Sequence, residues 1–455
     1  MNWLNEIDAS WAWQPFEPDD DATWDSALAA HLFRRAGFGT DQASLTESLT
    51  RTPNETVDEL ISRNEEADSF RTVADSLAKT VLAGGDPMKL SAAWVYRLQF
   101  TPAQLLEKTT LFWHGHFATG AEKVQSASMM WRQNKLFREH ALGDFRALTQ
   151  SIAKDPAMLI YLDSASNRKA HPNENFAREL MELFCLGEGN YSEDDVLELA
   201  RCFTGWEIRN ERFRKNRYQH DSGSKSVLGR DGNFDGEDAV QVVLDHERLP
   251  YFICRKLFHF FICDEPSPSD DLLKIPAATF RNNDLKIAPV IRQMLSSNLF
   301  FSHCARARKI KSPVESVIGL LRGLEVAADS NQIAEGLRSI GQGLFYPPNV
   351  KGWDGGRSWV NSSTLLGRAN LFQRIIFDKK TRFGDETLDS YLKRFSATTF
   401  DGALDHFQRC LMAVPIGSSA RELLRTQFPM RQKLSDSNLR RLLHSVASLP
   451  EFQLC

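Results

Sequence analysis

Glu179 and Glu182, set beside Arg178 and preceded by Asn173 and Asn175, form a dense group of side chains able to do chemistry. Residues three and four apart lie side by side on an α-helix. A helix opening near Asn173 therefore puts Asn175, Arg178, Glu179 and Glu182 on one face and lets Glu174 reach Arg178. Two carboxylates one turn apart suit a divalent cation, or one can act as a general base while Arg178 positions an anion. Asn173 and Asn175 would then contact the substrate. The plainer reading is a set of surface pairs, Glu174 with Arg178 and Arg178 with Glu182, each contributing about a few tenths of a kcal/mol. Phe176, Leu180, Leu183 and Phe184 lay an apolar stripe beside these groups, which favours a pocket wall over a solvated face.

His114 and His116 stand in Trp113-His114-Gly115-His116 near the end of a helix that starts at Pro102. A His-x-His pair chelates one metal when extended, but in a regular helix two residues apart point to nearly opposite sides. Gly115 and Gly120 suggest that the helix ends or distorts there, which would let the pair converge with Glu179 and Glu182 as metal ligands. The alternative is a histidine packed on Trp113 and capping helix carbonyls. Two further groups lie in irregular stretches: His220-Asp221 with Lys225, and Lys351, Trp353 and Asn361. A loop with Lys-Gly-Trp offers a cation and an aromatic ring to an anionic or sugar-like ligand, or is a turn that Trp353 anchors to the body.

The elements that must position these groups are mostly helices. Apolar residues recur at helical spacing from Trp24 to Phe203, with starts at Thr101-Pro102, Asp155-Pro156, His171-Pro172-Asn173 and Ser192-Glu193-Asp194. From Thr204 to Gly236 five glycines punctuate a polar, basic and aromatic stretch that reads as a β-hairpin or long ordered loop. Helical patterns resume from Glu237 to Ile340. Pro347-Pro348-Asn349 then opens a second irregular segment, which ends at Asn361 before a helix over Ser362 to Phe377. A last helical stretch, Leu388 to Leu449, is broken at Gly417 and Pro429. The predicted class is mainly α: a large multi-helix bundle with an insertion near residues 204–236, a main body over 1–380 and a C-terminal helical subdomain over 381–455.

Composition narrows the function classes. With 42% hydrophobic and 25% charged residues, 455 residues are enough for a large core. The net charge of -4 offers no global footprint for nucleic acid, and the basic run Arg306 to Lys311 reads as a solvated helix end. The most apolar run, Tyr251 to Cys263, is interrupted by Arg255, Lys256 and His259, so no membrane span is expected. Seven cysteines without a Cys-x-x-Cys pair speak against structural zinc and a disulfide framework, and for a reducing compartment. The first 21 residues lack the charged and apolar regions of a secretory signal, so the cytoplasm is the default location. There is no Gly-x-x-x-x-Gly-Lys-Ser/Thr loop for ATP and no dinucleotide fingerprint for NAD. Gly-x-Ser-x-Gly, His-Glu-x-x-His and Cys-x-x-Cys-His are also absent, the last excluding covalent c-type haem.

Four motifs occur together in order: Phe112-Trp113-His114-Gly115-His116-Phe117, Pro172-Asn173-Glu174-Asn175-Phe176-Ala177-Arg178-Glu179-Leu180-Met181-Glu182, Thr204-Gly205-Trp206, and Pro347-Pro348-Asn349-Val350-Lys351-Gly352-Trp353. With His31 to Gly39 and Pro450 to Gln453 they resemble the bacterial family catalogued as domain of unknown function eighteen hundred, across essentially the whole chain. Members of that family are often encoded beside proteins similar to sulfatases and alkaline phosphatases that tend to be exported. The resemblance thus implies a sulfatase-like partner and leaves a periplasmic association open.

The first functional expectation is a divalent-metal-dependent enzyme. His114, His116, Glu179, Glu182 and His220-Asp221 would line its pocket, with Arg178 and Lys351 orienting an anionic substrate and Lys225 and Trp353 contacting it. The second is a non-catalytic binding or maturation partner of the sulfatase-like protein. The sequence leaves the oligomeric state open.

Overall fold

A computed structural model describes residues 3–20, 22–63, 68–428 and 435–455. The breaker expected at Pro429 lies outside the described residues. The chain is mainly helical, with three small two-stranded antiparallel sheets among the described residues. Two of these occupy the glycine-punctuated insertion. Trp206–Arg209 pairs with Arg212–Lys215, and Lys225–Val227 with Arg230–Gly232. The first hairpin turns at Asn210 and Glu211, both left-handed at φ 51° and 57°, the geometry of tight hairpin turns.

Local chemistry explains most helix starts. Asp155 accepts from the Met158 amide with Pro156 in the first turn, and Ser192 forms a reciprocal capping box with Asp195. Asn361 caps Ser362–Phe377 through the Thr364 amide at 2.9 Å. The other two expected starts are displaced by a few residues. The helix after Thr101-Pro102 begins at Gln104, and the helix after Pro172 begins at Asn175, where the Asn173 side chain accepts the Asn175 amide at 3.1 Å.

The apolar interior forms two clusters. One gathers residues from the first third with Phe137 to Ala305, and the other joins Leu90 to Trp131 to Val314 through Phe452. Residues 381–455 share that second cluster with the helices Pro313–Gly323 and Ser362–Phe377.

Helix Gln104–His116 runs between the clusters, giving Leu105, Leu106, Phe112 and Trp113 to one and Leu111 to the other. Its polar residues are buried as well, so each needs a partner. Glu107 takes Arg138 and the Trp94 indole N–H, and Lys108 takes Glu315. Thr109 and Thr110 donate to the carbonyls of Leu105 and Leu106, both at 2.8 Å. Burial pushes Lys108 down. Glu315, despite its burial, is held well below the usual carboxylate range by Lys108 and Lys309. Among the described residues no helix is long and apolar enough to cross a membrane.

Candidate ligand cleft

The helix carrying Arg178, Glu179 and Glu182 changes pitch within the motif. Asn175–Glu179 is α-helical, whereas Leu180–Cys185 is π-wound, the Leu186 amide reaching back five residues to the Met181 carbonyl at 2.7 Å. The regular face expected of Asn175, Arg178, Glu179 and Glu182 therefore does not continue through the motif. Arg178 makes a bidentate pair with Glu193 at 2.8 and 2.7 Å, in place of Glu174 or Glu182. Glu182 accepts from the Tyr191 hydroxyl at 2.7 Å. Burial and then Glu182 raise the Glu179 carboxyl, opposed by Lys351 and Arg178. Asn175 donates to the Leu162 carbonyl at 3.4 Å, and the Asn173 amide to the Asn167 side chain at 3.0 Å.

What this helix contributes to a site is its last turn. Terminal carbonyls of a helix have no helical amide to accept and need outside donors. Leu183 O accepts from Lys256 Nζ, and Phe184 O from His116 Nε2, each at 3.0 Å. The backbone of one motif thus orients the histidine of another.

Helix Gln104–His116 stays regular through Gly115, and the Phe117 amide closes on Trp113 O at 2.8 Å. No break at Gly115 brings His114 and His116 together, and they serve opposite sides. His114 Nε2 accepts the Phe345 amide at 3.1 Å, with its ring among Trp94, Phe137, Phe345 and Trp353. Burial lowers His114 to about 3 and His116 well below its ordinary value, so both rings are neutral. The expected set of His114, His116, Glu179 and Glu182 does not assemble. Among the described residues no three His, Cys, Asp or Glu side chains are grouped to hold a metal ion.

His220, Asp221 and Lys225 hold the hairpin insertion in place. His220 Nδ1 donates to Thr204 O at 2.9 Å, and Asp221 accepts Arg201 Nε and the Gly223 amide, both at 2.8 Å. The Lys225 ammonium, only 2% exposed, donates to Asp221 O at 2.6 Å, Phe234 O at 2.9 Å and Gly223 O at 3.0 Å. Three carbonyls use all three of its protons, leaving none for a substrate. None of these residues lines the cleft described next.

A cleft of about 460 Å³ opens where the end of Gln104–His116 meets helix Leu249–Phe261 and the loop after Pro347-Pro348-Asn349. Phe112, Gly115 and His116 line it from the first helix, and Lys256, His259 and Phe260 from the second. The loop adds Lys351, Trp353, Asp354, Arg357 and Trp359, while Asp264, Glu265, Lys309 and Glu315 complete the charged wall. Lys309 pairs with Asp264 at 2.7 Å, and Arg357 with Glu265 at 2.8 Å. Among the described residues the buried Trp353 indole N–H has no hydrogen-bond partner.

Of the expected site residues, His116, Lys351 and Trp353 meet here. Lys256, His259, Lys309 and Trp359 were not foreseen. The signal for Lys256 and His259 was their interruption of the apolar run Tyr251 to Cys263. The run Arg306 to Lys311 is also more than a solvated helix end: Lys309 and Lys311 are buried, and Lys311 donates to Leu411 O at 2.9 Å.

The profile of a family described as "Protein of unknown function (DUF1800)" matches residues 31–454 of the chain. No curated protein and no solved structure matches it.

Proposed function

The chain belongs to the DUF1800 family over nearly its whole length, and on that footing we propose that its cleft binds a small anionic ligand built on a planar or sugar ring. The observation that carries this reading is the pairing of charges along the walls. Asp264, Glu315 and Glu265 are each engaged by a cation of the protein: Lys309, Lys108 and Arg357. Lys256 and Lys351 have no carboxylate within ion-pair distance among the described residues, while Asp354 is the cleft carboxylate left without a cation. With Lys256 protonated, two cations without an ion pair, Lys351 acting only on the more distant Glu179, stand against Asp354, which favours a negatively charged guest.

The ring part of the ligand follows from the other walls. Trp353, Trp359, Phe112 and Phe260 supply aromatic surface, and the unpartnered Trp353 N–H supplies a donor. Exposed Lys351 meets the anion, and a hydrogen bond to a charged group contributes about 1.5–3 kcal/mol. Removing it should weaken binding about 10- to 100-fold.

Titration calorimetry with glucose 6-phosphate, glucose and inorganic phosphate tests the reading. The sugar phosphate should bind more tightly than either fragment, and Lys351→Ala should weaken it by the factor above. Equal binding of glucose and its phosphate, or an unchanged Kd in Lys351→Ala, would rule out an anion site.

A further inference from the structure

Lys256 is half-buried, whereas Lys108, Lys225, Lys309 and Lys311 are buried. Lys108 and Lys309 face carboxylates, Lys225 faces three carbonyls, and Lys311 donates to Leu411 O above the Phe452 ring. Lys256, like Lys311, has one carbonyl partner and an aromatic ring, Leu183 O and Phe252 at 4.9 Å from the ring centroid, but unlike Lys311 it lies on a wall of the cleft. Its charge-relevant neighbours, His116 and Cys185, are both held neutral, the histidine lowered and the thiol raised by burial. An amine in such a place can lose its proton without breaking an ion pair.

We infer that Lys256 is a reactive amine that forms an imine with an aldehyde or ketone carbonyl on the cleft's ligand. The inference rests on the ligand reading above only for the ring and the anion, not for the amine. The Nζ lone pair forms the C–N bond as the carbonyl π bond opens, and one amine proton passes through water to the oxygen. The carbinolamine then expels its hydroxyl with the second amine proton as water while C=N forms, so no oxidant or reductant is needed. Burial supports the first step by lowering Lys256 to about 8. At pH 7.5 about a quarter of it is then neutral, against roughly one in a thousand for an ordinary lysine.

Reductive trapping on the full-length protein tests this with two aldehydes, each with cyanoborohydride at pH 7.5 and peptide mapping by mass spectrometry. Propionaldehyde needs neither anion nor ring contact, and it should modify Lys256 at least about tenfold faster than the exposed lysines. A rate at Lys256 no greater than theirs overturns the inference. Lys256→Arg, which keeps the charge, should remove the fast site. Pyridoxal 5′-phosphate carries aldehyde, ring and anion together and should label Lys256 at lower concentration, an advantage lost in Lys351→Ala. If propionaldehyde singles out Lys256 and the phosphate shows no advantage, the reactive amine stands and the anionic-ring reading falls.

Discussion

Gly352 rests directly on the backbone of Gly115. A Cβ on Gly352 would stand 2.2 Å from the Gly115 carbonyl oxygen, and its φ of +79° is one that L side chains rarely adopt. This contact joins the loop carrying Lys351 and Trp353 to the helix end carrying His116. The relationship is one-sided: a Cβ on Gly115 would meet Trp353 Cε3 at 3.6 Å, an ordinary contact.

Gly352→Ala should therefore lower stability by about 2–5 kcal/mol, combining left-handed strain with steric overlap. Gly115→Ala should be neutral or mildly stabilising, because alanine suits a helix interior better by up to about 1 kcal/mol. Urea midpoints of the two variants give the comparison. Equal damage from both would show that the loop does not sit on the helix in this way.

Two lysines that look alike in sequence should separate in the same assay. Lys225→Met strands the three carbonyls that its ammonium satisfies and should cost about 3–6 kcal/mol at about 1–3 kcal/mol per unsatisfied group, discounted for relaxation. Lys351→Ala should change stability by less than about 0.5 kcal/mol, as an exposed substitution does, while weakening ligand binding. Proteolysis should report the first change as new cleavage within 204–236. A Lys225→Met protein as stable as wild type would remove the structural role assigned to that ammonium.

Asp155 provides a pH signature. Burial raises its carboxyl from 3.8 to about 6, although the Met158 amide and Gln133 bond to it. A raised carboxyl pKa means that the folded protein binds the proton more tightly than the unfolded chain. This group's contribution is then fully present below about pH 4 and is lost as pH rises through 6, amounting to about 3 kcal/mol by linkage. Asparagine caps a helix equally well and carries no charge. The stability of Asp155→Asn relative to wild type should thus improve from pH 4 to 7 and level off above. A difference in thermal midpoint that does not vary with pH would contradict the burial of this carboxylate.

The helical class and the insertion near 204–236 were legible because their signals are local. Asp155 and Ser192 reach amides three residues away, and apolar spacing within a single segment reports which face is inward. The helix ends at His116, next to Gly115, as the glycine suggests, but nothing within that segment shows that its last turn stays regular and keeps His114 and His116 on opposite sides. The polar face at Arg178, Glu179 and Glu182 was misjudged because regular spacing presumes a pitch that the π-wound turn does not keep.

The amino-acid sequence by itself determined that the chain is mainly helical, where helices begin to within a few residues, which stretches are irregular, and that Trp113 to His116 and Lys351 to Trp353 carry polar groups beside aromatic ones. Only the tertiary structure decided which polar groups are engaged and which remain open. His116 finds its carbonyl 68 residues away, and Lys256 finds its own 73 residues away. Lys225 finds carbonyls within its own hairpin insertion, and Lys256 is left with one partner and an open cleft. Residue type sets how many bonds a side chain can make. Which of them are filled depends on chain segments that meet only when the fold closes, and that difference separates a structural lysine from a reactive one.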